Sequence, residues 1–337
     1  MDIETFIRSI PKAELHLHIE GTLEPELKFE LAARNGLELP YASADQMRAA
    51  YAFDDLSSFL AQYYEGMSVL LTEADFCDLA MAYFERVAAQ GLVYAEMFFD
   101  PQAHTSRGVG FETVISGLRR AQVEADGRWG IRSQLIMCFL RDHSVESAFE
   151  ALEQASAYRE WIVGVGLDSD ERDNPPVKFR DVFAAARQQG YRLTMHCDVD
   201  QQDTTVHIRQ CLEDIGVERI DHGSNALDDP ALVDELRRRG IGLTCCPISN
   251  SHISGGTKAA QIRELHERGV LVTVNSDDPA YFPGYVGDNL LRLQREAALS
   301  RDDVVRLVRN AFLISWLDDA DRQAYLDRLE GWVAANP

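Results

Sequence analysis

The chain has 337 residues, 46% of them hydrophobic, with 33 basic against 55 acidic side chains and a formal net charge of −22. So acidic a balance repels phosphate backbones, argues against nucleic acid as a partner and fits a neutral or cationic small molecule. No run approaches the roughly 20 apolar residues of a membrane span, and the opening "MDIETFIRSIPKAEL" lacks the pattern of a secretory signal. The expectation is a cytoplasmic protein with no membrane partner, built as one domain over residues 1–337. Six cysteines without C-x-x-C spacing read as reduced, mostly buried thiols. Nothing in the sequence sets the oligomeric state.

The first predicted strand, "AELHLHI" (13–19), places His16 and His18 two residues apart, on one side of an extended chain. About seventy residues then precede the next strand, and "DDLSSFLAQYYEGMSVLL" and "EADFCDLAMAYFERVAAQG" within them read as helices. Further strands are predicted at 92–99, 133–140, 162–168, 192–197, 218–223, 241–247 and 270–276. Between them, "VFAAARQQG" (182–190) stops on Gly, and "DPALVDELRRRG" (229–240) opens on Asp-Pro and stops on Gly. Two helices, "RDDVVRLVRNAFLISWL" and "DADRQAYLDRLEGWVAA", close the chain.

Eight strands alternating with helices predict an α/β fold with a parallel sheet, and eight is the number that closes a (β/α)8 TIM barrel. An open doubly wound sheet competes, but no G-x-G-x-x-G follows an early strand. The helical insertion after the first strand would lie on the active-site face, as a candidate lid or as extra packing.

The unusual polar residues fall at strand ends, where burial without a partner is costly. His16 and His18 end the first strand, His196 the fifth ("TMHCDVDQ"), Asp221 and His222 the sixth ("IDHG"), Asp277 and Asp278 the eighth ("VNSDDPAYF"). Three imidazoles and a carboxylate suit a borderline divalent ion such as zinc, so His16, His18, His196 and Asp277 form the candidate ligand set for one Zn2+ per chain. A catalytic zinc keeps a position open for water and lowers its pKa to about 7. His222, beside Gly223, is the candidate non-ligating histidine that handles a proton next to that water.

Together, "ELHLHIEGTLEPE", "GLDSDE…NPP…KF", "RIDHG", "CPISN" and "VNSDDPAYF" resemble the adenosine/adenine deaminase family of the amidohydrolase superfamily, in order and over almost the whole chain. The resemblance implies a (β/α)8 barrel, one zinc, and hydrolytic removal of the group on C6 of a purine. It matches His16, His18, His196 and Asp277 to the zinc ligands, and His222 to the histidine that assists hydroxide formation. It also matches Asp278 to the carboxylate that holds the purine through N7, and Ser169 to the position meeting the ring's N3 side. Glu20 stands where adenosine deaminases usually carry the Asp that helps bind ribose; a longer acid would crowd a sugar and favours a free base.

Two departures stand out. The family usually reads H-A-G-E after strand five, and the Glu protonates N1. This chain reads His196-Cys197-Asp198-Val199. On an extended stretch Asp198 and Asp200 share a face with His196, and either could replace the Glu. Asp200 is preferred, because its extra backbone residue offsets its shorter side chain. After "CPISN" the chain reads "SHISGGTKAA", a polar, Gly-containing loop that would leave space beside the purine's 6-position. The expected reaction is adenine to hypoxanthine and ammonia. The runner-up is an N6-substituted adenine releasing an amine. Adenosine deamination and a non-catalytic purine-binding protein are the remaining alternatives.

Overall fold

The computed structural model describes residues 1–197 and 202–337. Eight parallel strands follow one another in chain order: β1 (Lys12–Glu14), β2 (Leu92–Phe99), β3 (Arg132–Leu140), β4 (Ile162–Asp168), β5 (Arg192–Cys197), β6 (Arg219–His222), β7 (Gly242–Cys245) and β8 (Leu271–Val274). Sequential neighbours pair from β1 through β8. The ring closes beyond the regular strands, where His18 N–H donates to Asp277 O (3.0 Å) and Asp277 N–H to His16 O (3.2 Å). This is the predicted TIM barrel, and β2, β4 and β5 have the predicted boundaries.

The first strand departs from expectation. Its ladder stops at Glu14 because the Leu15 N–H bonds the Asn275 side chain (2.8 Å) instead of a strand carbonyl. Beyond it, Leu17 and His18 pair only as isolated bridges, to Asp277 and Phe98. Both histidines therefore lie in a short irregular stretch pinned on each side by its neighbours.

The helices follow local rules. Asp229 caps Pro230–Arg239 by accepting from Ala231 N, and Gly240 ends it at φ 67°. Asp55 and Ser58 form a reciprocal capping box on Leu56–Gly66, as Thr72 and Asp75 do on Glu73–Ala88. These two helices are the predicted insertion. The predicted C-terminal helices are Arg301–Ile314 and Asp319–Ala335. No described helix is long and apolar enough to cross a membrane. All six cysteines are buried and none forms a disulfide.

Part of the interior is charged. Arg219 on β6 and Glu96 on β2 form an ion pair with both side chains fully buried. Tyr94 donates its hydroxyl to Glu96 (2.9 Å), and the Arg219 guanidinium lies over the Trp316 ring, 4.3 Å from its centroid. Trp316 packs so closely on β4 that a Cβ on Gly164 would come within 2.4 Å of its ring. Removing one member of a buried pair strands the other charge, at about 3–5 kcal/mol. Glu96→Ala is thus expected to lower unfolding stability by about that amount in urea titration; a loss under 1 kcal/mol would mean that Arg219 finds other compensation.

Candidate metal centre and active site

The C-terminal ends of the strands meet beneath a cavity of about 520 Å3, its mouth included. His18, His196, His222, Asp277, Asp278 and Ser169 line it, and His16 sits just below, fully buried. The insertion helix Leu56–Gly66 covers one side with Leu56, Phe59, Leu60, Tyr63 and Tyr64. Ser169, His222 and Asp277 hold left-handed backbone, with φ of 74°, 63° and 65°. Such conformations are uncommon for residues other than Gly and concentrate at functional sites.

Three imidazoles point one nitrogen at a common place. His196 Nε2 is 3.1 Å from both His18 Nε2 and His16 Nε2, and Asp277 Oδ1 is 3.2 Å from His16 Nε2. Which nitrogens carry protons follows from the opposite ring edges. His196 Nδ1 faces the Leu167 carbonyl at 3.0 Å, an acceptor, so Nδ1 is the N–H. Thr244 gives its only hydroxyl proton to Asp221 Oδ1 (2.8 Å) and so accepts from His16 Nδ1 (2.9 Å). Asp221 is held in turn by the Thr194 hydroxyl (2.6 Å). The Nε2 lone pairs of His16 and His196 therefore face each other and a carboxylate. Lone pairs at this spacing repel unless a cation lies among them, and donors about 2.0–2.1 Å from one ion sit about this far apart. His16, His18, His196 and Asp277 thus fit a single divalent ion, and the partners behind them orient the rings as outer partners of metal-bound histidines do.

The electrostatics agree. Burial opposes charge on His18, yet Asp278, Asp168 and Asp277 outweigh it and push its pKa up to about 10. Burial and then His16 and His18 hold His196 well below its usual range. Asp277 lies well below the ordinary carboxylate range: burial would raise it, and His16, His222 and His18 together prevail. The cluster attracts positive charge. His222 is separate: burial lowers it to about 4, its Nε2 is 3.8 Å from Asp277 Oδ2, and its Nδ1 has no hydrogen-bond partner among the described residues.

Asp278 lies against the backbone of Gly21, where a Cβ would stand 2.0 Å from its Oδ1; the glycine admits the carboxylate to the cavity. Burial raises Asp278 well above the usual carboxylate range, despite His18 and with Asp277 adding to the rise. The shift favours the protonated form, which can donate a hydrogen bond. Ser169 accepts from the Tyr64 hydroxyl at 2.8 Å.

Glu20 is not in the cavity lining. It is buried one layer back, where its Oε1 accepts from Asp100 N (3.1 Å) and pairs with His104 Nε2 (2.9 Å). Its contact with the cavity wall is this bond to the Asp100 backbone, Asp100 being one of the lining residues. Asp198 and Asp200 lie outside the described residues. Of the segment expected as a loop after "CPISN", Ser251, His252 and Ile253 complete a helix that Pro247 opens (Pro247–Ile253), and residues 254–258 form the loop ahead of the helix Ala259–Glu267. Ser249 and Ile253 of the first of these helices line the cavity.

Sequence reasoning missed Asp100 and Asp168. Both line the cavity, and each ends or follows an apolar strand, the same signal that singled out Asp277. Thr244 was missed because a threonine inside a strand reads as ordinary β-branched filling.

The adenosine deaminase family profile matches residues 11–332. An adenine deaminase of Streptomyces coelicolor is 50% identical over 327 residues, covering 96% of each chain. An uncharacterized deaminase of Schizosaccharomyces pombe is 51% identical over 335 residues, covering 99% of each. Among solved structures, adenine deaminase from Arthrobacter aurescens superposes with a TM-score of 0.93 at 44% identity, covering 97% of this chain and 100% of its own. The chain belongs to the adenosine deaminase family, whose members are metal-dependent amidohydrolases.

If the facing nitrogens share one ion, metal binding must stabilise the fold. Chelator-stripped protein is expected to gain about 3–4 kcal/mol at free zinc 100–1,000 times Kd, seen as a rise in Tm. His196→Ala should abolish the gain. An equal gain in that variant would place the ion elsewhere.

Proposed function

We propose that the protein is a hydrolytic deaminase of the free base adenine, taking up water and releasing hypoxanthine and ammonia. The observation that carries this reading is one cavity in which the His16, His18, His196 and Asp277 cluster faces Asp278 and Ser169. Relatives named adenine deaminase, at 45–50% identity over nearly the whole chain, support the same substrate.

A zinc ion held by His16, His18, His196 and Asp277 would supply a water whose pKa is lowered to about 7. The chain's own residues do the rest. Asp278, carrying a proton, donates to N7, an acceptor on neutral adenine. Ser169 meets the N3 side. His222, outside the ligand set and uncharged, would take and return a proton where water meets C6. The proton that N1 gains as aromaticity is lost falls to Asp200 or Asp198. Phe59, Leu60 and Phe282 line the cavity with apolar surface and limit water around the base.

The test is an ultraviolet assay of metal-replete protein with adenine, N6-methyladenine and adenosine. Adenine is expected to have the highest kcat/KM; an adenosine value well above both bases would overturn the reading. His222→Ala should keep its metal and lose about 10²–10⁴ in kcat, the range for a positioned acid–base group. Loss of metal along with activity would make His222 structural.

A further inference from the structure

We propose that Asp168 accepts a hydrogen bond from the N9–H of the base and so restricts the site to purines unsubstituted at that nitrogen. The inference rests on the adenine reading above and names the residue that enforces it.

Asp168 is the last residue of β4, only 3% exposed, and it lines the cavity. Neither of its carboxylate oxygens has a hydrogen-bond partner among the described residues. His18 Nδ1 stands 3.4 Å from Oδ2. The nearby hydroxyl of Tyr64 is committed to Ser169. The backbone N–H of the neighbouring Asp100 is committed to Glu20 Oε1 (3.1 Å). A buried carboxylate oxygen left without a hydrogen bond is costly, and a ligand that brings a donor removes the cost.

The ligand must therefore present an N–H here. Neutral adenine has two kinds of donor, the amino group on C6 and one imidazole N–H. The amino group belongs over the histidine cluster, where it is displaced. With N7 against Asp278 and N3 toward Ser169, the remaining ring nitrogen is N9, and Ser169 is the residue next to Asp168. A substituent on N9 deletes the donor and presses carbon against a buried carboxylate oxygen. Sites built around a substrate's polar hydrogen reject analogues lacking it far more strongly than apolar pockets reject an added group.

The experiment compares adenine with 9-methyladenine in wild type, Asp168→Ala and Asp168→Asn, with metal content measured on each. In parallel, calorimetry compares binding of hypoxanthine and 9-methylhypoxanthine. Wild type is expected to favour adenine by about a hundredfold or more in kcat/KM. Asp168→Ala should raise the KM for adenine about ten- to a hundredfold with a smaller change in kcat, the range for one hydrogen bond to a charged group. Its preference over 9-methyladenine should shrink below about tenfold, at unchanged metal content. Asp168→Asn, which keeps an acceptor oxygen, should fall between and serves if the alanine variant does not fold.

Equal use of the two bases by wild type, or an undiminished preference in Asp168→Ala, would overturn the inference while leaving adenine deamination standing. Two metal ions per chain, with one lost on substitution, would assign Asp168 to a second cation and overturn it as well. If metal-replete wild type turns over no adenine, the functional reading fails, and the calorimetric preference for hypoxanthine still decides the role of Asp168.

Discussion

Three imidazole edges and a carboxylate held face to face are the constraint around which the rest of the barrel is arranged. Left alone, such a cluster would open, since its lone pairs repel. It stays closed because each member is gripped from behind. Thr244 holds His16, and the Leu167 carbonyl holds His196. The His16 and His18 backbone fixes Asp277 from the other side of the barrel seam. These grips come from β4, β7 and the chain beyond β1, elements far apart in sequence. The barrel's closure and the cluster's geometry are thus one structural fact: the two hydrogen bonds that seal the ring are made by the very residues that point into it.

Below the cluster runs a second layer of buried polarity. Asp221 takes hydroxyl protons from Thr194 and Thr244, and its Oδ1 lies 3.8 Å from Arg219 Nε. Arg219 is balanced in turn by Glu96. A charged interior costs desolvation that an all-apolar barrel would avoid. What it provides is direction. The threonine hydroxyls have no freedom to turn, because Asp221 dictates where their protons go, and the proton on His16 Nδ1 is settled as a result. The orientation of the site is thereby tied to the ion pair deep in the barrel.

Much of this was legible in the sequence because strand alternation and strand ends carry strong local signals. "LVYAEMFF", "IVGVGLD" and "RLTMHC" became strands without adjustment, being apolar runs with clear stops on both sides. "AELHLHI" did not, because its ladder is interrupted by the side chain of Asn275, some 260 residues away in sequence. Contacts of that kind have no local signature. The same holds for Glu20. Its neighbours along the chain place it at the mouth of the site, while His104 and the Asp100 backbone draw it behind the wall. Asp221 was visible as a residue but its relay with Thr244 was not, since the relay exists only once β5, β6 and β7 lie side by side.

On the proposed role of Asp168, it acts with Glu20 and Asp100 to make a free base suit the cavity without appeal to its size. Glu20 keeps Asp100 in place through the Asp100 N–H, and Asp100 stands next to Asp168 at the cavity edge. Burial, followed by Asp168 and Glu20, raises Asp100 well above the usual carboxylate range. A sugar brought to this edge would offer hydroxyls that water satisfies as well outside the cavity, and would displace the one ring N–H that the acids can use. A bare purine brings that N–H at the cost of ordering a single rigid ring. Selectivity for the smaller ligand then follows from unmet hydrogen-bonding capacity in the wall, a property that neither the apolar lining nor the metal centre supplies.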